Sequence, residues 1–367
     1  MACEAYAPPS RLSPERQTSI WPVALGTPQH APSAAETLSA DPQLRWRIHV
    51  ARAARGCPAV GETVLAFGTV DRQLVLVHRP TGQVLWRAHL KGTVRGGALL
   101  ARDRVFVATE ASPEAHIYAI KLRDGSVLWN VELGDAPTAS IAAPLALEGD
   151  TLYAATEGGL VLRLATRDGA VTWRRALPGA VRAAPVPTPE GIAVATTTDT
   201  LFVLERRSGD VLRRMGTRGT VLASPALGIH EDRLFVATTG GHVFAVALPA
   251  LTVLWDLDAG DEIYGSPAVA RDTVFVLTRN GKLWLIPAAD TIGARALTLD
   301  IVAIAGPNPL ADGVLVGGVG GEVLLVDPAT GNVRWRVQAD GPIEAPPLMR
   351  NGELVVVGGR GDIHTYK

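Results

Sequence analysis

Short apolar runs of four or five residues follow one another along most of this chain, each cut off by glycine, proline or an acidic residue. Leu152-Tyr153-Ala154-Ala155-Thr156, Leu234-Phe235-Val236-Ala237-Thr238 and Val314-Leu315-Val316-Gly317 are of this kind. Such runs are too short for helices, and their β-branched content and turn-rich borders predict strands. Glycine-rich hairpin signals come next, as in Thr239-Gly240-Gly241-His242 and Gly320-Gly321-Glu322. They supply the positive φ that tight hairpins require. A third apolar strand follows, for example Val323-Leu324-Leu325-Val326, and leads into a turn and a fourth strand that closes on tryptophan.

That last step is written repeatedly. The segment 326–335, Val-Asp-Pro-Ala-Thr-Gly-Asn-Val-Arg-Trp, has counterparts at 77–86, 120–129 and 164–173. Blurred copies have Ser208-Gly209 before Arg213, Ala250-Leu251 before Trp255, and Asp290-Thr291 before Arg295. An early copy, Leu44-Arg45-Trp46-Arg47, has the tryptophan without the hairpin. The closing positions are 46, 86, 129, 173, 213, 255, 295 and 335, spaced 40 to 44 residues apart. Four strands in about 40–45 residues predict a β-propeller blade.

The units run over 59–90, 94–133, 140–177, 181–216, 221–257, 263–299 and 301–337. Several open on a small residue and proline (Ala143-Pro144, Ala184-Pro185, Ser224-Pro225, Ser266-Pro267, Ala345-Pro346), which suits the first position of a strand. The final stretch, 343–366, supplies three strands and stops where the tryptophan strand should follow. Residues 43–50, carrying Trp46, are the missing piece. The fold class expected is therefore all-β: an eight-bladed propeller of four-stranded antiparallel blades, closed by the N-terminal strand pairing into the last blade and hiding two edges.

Composition changes the picture little. The chain has 367 residues, 35 basic against 36 acidic, with no block of like charge, which argues against nucleic acid as the main partner. No apolar run reaches the roughly 18 residues needed to cross a bilayer. Residues 1–42 contain seven prolines among Ser, Thr and Ala, without periodicity, and read as a disordered tether reaching on the order of 35 Å. Trp21 within it reads as a loosely packed surface residue. Cys3, directly after Ala2, is a candidate lipidation site, although no apolar leader precedes it. Cys57 is too isolated to imply a disulfide or zinc site.

The repeated frame resembles the pyrroloquinoline-quinone dehydrogenase-type repeat over about residues 43–367. Asp327, Thr330, Gly331 and Trp335 match it most fully, and Gly82, Gly125 and Gly169 with Trp86, Trp129 and Trp173 match well. The resemblance implies that the closing tryptophans, Trp46, Trp86, Trp129, Trp173, Trp255 and Trp335, dock between blades. Gly82, Gly125, Gly169, Gly209 and Gly331 are read as turn glycines. Arg213 and Arg295, which replace tryptophan, are expected to lay their stems over the next blade.

One branch of that family places a quinone over calcium held by Glu, Asn and Asp. Its alcohol-oxidising members carry adjacent cysteines, which this chain lacks. Calcium needs six or more converging oxygens, and Asn308, Asn351, Glu344 and Asp340 read as scattered turn or rim residues. The other branch comprises tethered, non-catalytic scaffold lipoproteins of outer-membrane β-barrel assembly. Similarity to it implies a non-enzymatic interaction scaffold, with protein partners in a membrane-embedded complex and no cofactor. It also implies a periplasmic location, with the membrane reached only through an anchor at Cys3. A quinone- or sugar-binding enzyme and a ligand-sensing accessory propeller are the alternatives.

No His-x-His or His-x-x-x-His spacing suggests a metal site, and no G-x-S-x-G elbow is present. One ring position is uneven. Three residues before the opening prolines lie Ile141, Arg182, Leu222 and Tyr264, with Arg95 in the comparable slot of another unit. If these line one mouth of the central channel, then Arg95, Arg182 and Tyr264 form a candidate partner surface, since Arg and Tyr are favoured binding anchors.

Overall fold

The computed structural model describes residues 30, 33–39, 42–50, 53–54 and 56–367. Trp21 and Cys3 lie outside them. The described chain forms eight four-stranded antiparallel sheets, and its one helical turn is the 3-10 segment Pro137–Ala139. Blades one to seven span 59–89, 98–134, 146–176, 186–216, 226–258, 268–298 and 308–338. Blade eight joins Leu348–Arg350, Glu353–Val357 and Asp362–Tyr366 to Leu44–His49.

Position within a blade explains the sequence pattern. The middle strands are covered on both faces by neighbouring blades, so they read as continuous apolar runs. All of Val64–Gly68 is buried, for example. The outermost strands meet solvent and alternate, as in Val333–Gln338. The innermost strands are only two to four residues long, because the ring axis has no room for more.

Closure occurs as the pattern predicts. Arg47 pairs with His364, Ile48 with Ile363 and His49 with Asp362. Gln43 and Lys367 exchange both backbone hydrogen bonds, at 2.9 and 3.0 Å.

Each docking tryptophan reaches forward into the next blade. The indole N–H of Trp46, Trp86, Trp129 and Trp173 donates to the carbonyls of Arg79, Leu122, Thr166 and Arg206, at 2.8 to 2.9 Å. Three residues after each carbonyl stands a glycine, Gly82, Gly125, Gly169 or Gly209, with φ of 72 to 74°. A Cβ on any of the four would come within 2.7–2.9 Å of the preceding blade's indole. The glycine thus serves two needs: the left-handed turn and the ring lying flat against it. Trp255 makes a longer bond, 3.2 Å to the Ala288 carbonyl.

Arg295 donates to the Pro328 and Ala329 carbonyls, the place an indole takes elsewhere, and Leu297 fills the space against Gly331. Arg213 lies exposed, and the turn ahead of it carries Leu251 at φ 55° in place of glycine. Trp335 faces the split blade, where no such turn exists, and packs edge-on against Tyr366 at 5.4 Å between centroids. Trp173, 8% exposed, should therefore matter more than Trp335. Trp173→Ala is expected to cost about 3–5 kcal/mol in denaturant unfolding, and Trp335→Ala measurably less.

The tether expected over residues 1–42 is corrected at its end. Ser33 is fully buried: its hydroxyl donates to the Met349 carbonyl and accepts from the Met349 N–H, both at 2.9 Å, and from the Asn308 amide at 3.0 Å. The Glu36 carboxylate receives the N–H groups of Asn351 and Gly352, each at 2.9 Å. Leu38 is buried in the core between blades seven and eight. Proline content concealed this, since five hydrogen bonds from two side chains and one buried leucine fix the segment without any periodic pattern.

Candidate functional site

The residues preceding the innermost strands line the ring axis. Val94, Ile141, Val181 and Ile343 are buried and donate their N–H groups to the preceding turns, at Thr109 for Ile141 and Thr156 for Val181. The axis-facing slot comes one residue later: Arg95, Ala142, Arg182, Leu222, Tyr264, Ile304 and Glu344. Ile141 is thus corrected from rim to core. Proline falls one place earlier in that blade, so counting back from it shifted the register.

The slot divides into two environments. Arg95, Ala142, Arg182 and Leu222 line an open pocket of about 620 Å³, together with Thr138 and Ser140. Arg95 Nε lies 3.1 Å from Glu110 Oε1, and Arg182 Nε lies 3.1 Å from the Glu157 carboxylate. Both arginines are 52% exposed on their side chains. The candidate surface therefore presents two half-exposed Arg–Glu pairs rather than bare cations. Sequence reasoning missed Glu110 and Glu157, although each directly follows the threonine that ends a second strand, Thr109 or Thr156. Tyr264 does not join them.

Tyr264, Ile304 and Glu344 instead line the central cavity, about 120 Å³, with Ser224, Ser266 and Cys57. His30, from the docked N-terminal segment, is buried there and its Nδ1 lies 3.0 Å from the Pro267 carbonyl. Burial pulls His30 down to about 4, with the Pro267 bond opposing, so its imidazole is neutral and donates to that carbonyl. Burial also pushes the Cys57 thiol up to about 12, leaving it unreactive. A groove of about 590 Å³ between blades two and three is bridged by Arg104 donating to the Thr166 carbonyl and belongs to blade packing.

A quinone over calcium does not fit this channel. The cavity is smaller than the roughly 300 Å³ at which ligand pockets begin. Among the described residues Glu344 is the one carboxylate lining it, which falls short of a calcium ligand set. Asn308, expected on a rim, is buried at the start of blade seven and bonded to Ser33 and to the Pro347 carbonyl at 2.8 Å. Asn351 sits in a blade-eight turn at φ 52°.

The ring of eight blades, the forward-docking tryptophans and the glycines beneath them define a PQQ-like propeller. By sequence the chain belongs to the family of the outer membrane protein assembly factor BamB, whose profile matches residues 36–180, 113–221, 199–296 and 298–366. An outer membrane protein assembly factor BamB of Legionella pneumophila (strain Paris) is 30% identical over 200 residues, covering 51% of this chain and 49% of that protein. The chain thus spans about half the length of that curated relative in the matched region. Solved structures share the fold. BamB from Moraxella catarrhalis has a TM-score of 0.72 at 14% identity, covering 89% of this chain and 100% of that one. The quinohemoprotein alcohol dehydrogenase from Comamonas testosteroni has 0.74 at 12%, covering 95% and 80%. The computationally designed Ika8 protein has 0.73 at 15%, covering 87% and 97%.

Proposed function

We propose that this protein is a non-enzymatic interaction scaffold, an accessory subunit of a membrane-associated complex that assembles outer-membrane proteins. The observation that carries this reading is the family match, which runs through every blade from residue 36 to 366. The small central cavity, lined in part by the chain's own His30, supports it, because that cavity offers little room to a substrate. No helix among the described residues is long and apolar enough to cross a membrane. An extracytoplasmic location with attachment through Cys3 accords with this reading.

The contact surface proposed is the pocket around Arg95 and Arg182, with Leu222 as its apolar floor. Half-exposed Arg–Glu pairs contribute little to stability, yet arginine in a partner-covered pocket commonly carries about 2 kcal/mol of binding. The test is affinity isolation of the full-length protein from gently solubilised membranes, with mass spectrometry of the co-eluting proteins and of the N-terminal peptide. The double variant Arg95→Glu/Arg182→Glu is expected to keep its melting temperature and to bind the isolated partner at least about 30-fold more weakly. A partner that binds the variant normally would move the contact surface elsewhere. A protein that isolates alone, with Cys3 unmodified, would remove the scaffold reading.

A further inference from the structure

At the ring closure, side chains far apart in sequence converge on one point. Asp362 and His364 alternate on the last strand; on the first, His49 lies opposite Asp362 and Arg47 opposite His364. Asp340 reaches in from the loop between blades seven and eight. Ligating atoms of Asp340, Asp362 and His364 all lie within 4.8 Å of one another. His49 Nδ1 is 3.4 Å from Asp362 Oδ1.

A second observation, independent of the carboxylates, concerns His364. Its side chain is 5% exposed and aims Nε2 at Asp340 Oδ2, 3.7 Å away, with no hydrogen-bond partner on that nitrogen. Its other nitrogen, Nδ1, lies 3.2 Å from the Tyr366 hydroxyl. With the Nδ1 proton donated to Tyr366, the Nε2 lone pair faces carboxylate oxygens, an arrangement that a cation between them would relieve. A hydrogen bond on the second nitrogen, which fixes ring orientation and tautomer, commonly accompanies histidine ligation of metals.

We propose that Asp340, Asp362, His364 and His49 bind one divalent transition-metal ion of the zinc class, which ties the first strand to the last. Two imidazole nitrogens and two carboxylate oxygens suit zinc, whereas calcium and magnesium call for a shell built from oxygen alone. Arg47 is the competing cation: its half-exposed guanidinium contacts both Asp340 and Asp362, and it swings into solvent when the ion enters.

The test is calorimetry and thermal unfolding of the untagged, metal-stripped full chain with zinc chloride, and with calcium chloride as control. One equivalent of zinc is expected to bind and raise the melting temperature, while calcium does neither. Arg47→Ala should tighten zinc binding by removing the competitor. A plain ion-pair network would instead lose stability in that variant with no gain from zinc. Asp340→Asn, in a loop where folding is not at risk, and His364→Ala should each weaken zinc binding by at least about 10-fold, a loss of the size second-shell changes already produce. Wild-type protein that takes up no stoichiometric zinc, or Asp340→Asn that binds it undiminished, would overturn the site.

Discussion

Deletion of residues 43–50 is expected to abolish the stable monomer. The strand Leu44–His49 covers the edge of Asp362–Tyr366 and satisfies its backbone groups. It also carries Trp46, whose ring lies on Gly82 of blade one. Without it the last blade has three strands, an unpaired edge opens to solvent, and the docking surface of blade one is bared. An exposed edge of this kind templates pairing between chains. Light scattering on the purified variant should show soluble aggregate or dimer in place of the monomer, with a lower and broader unfolding transition. A monodisperse monomer of unchanged melting temperature would mean that the first strand is an accessory to the ring.

The second large effect is expected at a buried ion pair that bridges the same seam. Arg79, from the turn of blade one, places NH1 2.7 Å from Glu353 Oε2 in blade eight, with side-chain exposures of 6% and 3%. The guanidinium also donates to the Glu62 and Arg350 carbonyls, and Arg45 meets the other oxygen of Glu353 at 3.0 Å. Burial lowers the Arg79 pKa, and the Glu353 charge opposes part of that effect. Glu353→Ala removes that compensation and is expected to cost about 3–5 kcal/mol at neutral pH, the usual cost of leaving one buried charge unpaired. Replacing both partners with apolar residues of similar volume should cost much less, because no charge is then stranded. Denaturant unfolding of the single and double variants measures the difference. A cost below about 1 kcal/mol for Glu353→Ala would show that the carbonyls alone hold the guanidinium.

The ring was legible because its grammar is local. Strand length, hairpin glycines and the tryptophan period all lie within 44 residues of one another, and the truncated last unit with the orphan Trp46 strand announced the closure. What escaped notice depends on neighbours in space. Gly82, Gly125, Gly169 and Gly209 each read as a backbone requirement in their own hairpin, whereas half of their role is to admit an indole from the preceding blade. Trp335 has the best-written frame, yet chain closure removes the turn it would dock on. Ile141 was misplaced by one residue because its proline, used as the ruler, slipped relative to the buried row. The cluster of Asp340, Asp362 and His364, with His49 beside Asp362, obeys no motif spacing, since His49 and Asp362 stand opposite each other only once the ring is closed. Ser33 and Glu36 act through a few side-chain hydrogen bonds to blades seven and eight, a kind of contact that leaves no trace in periodicity.

The closing strand also has the character of a bound peptide. Leu44 and Tyr366, partners in one ladder, are 322 residues apart, so residues made late complete a receptor whose ligand was made long before them. Nothing in the hydrogen bonds of that ladder requires the ligand to come from the same molecule. Two chains that exchanged their first strands would satisfy every one of those bonds. The closed monomer is favoured by the effective concentration of a tethered segment, on the order of millimolar for short flexible connections. In this protein the connection is a rigid stack of blades that holds the acceptor groove beside its own donor. Crowding many copies together would work against that advantage, and prompt closure of each chain on itself is what keeps them apart.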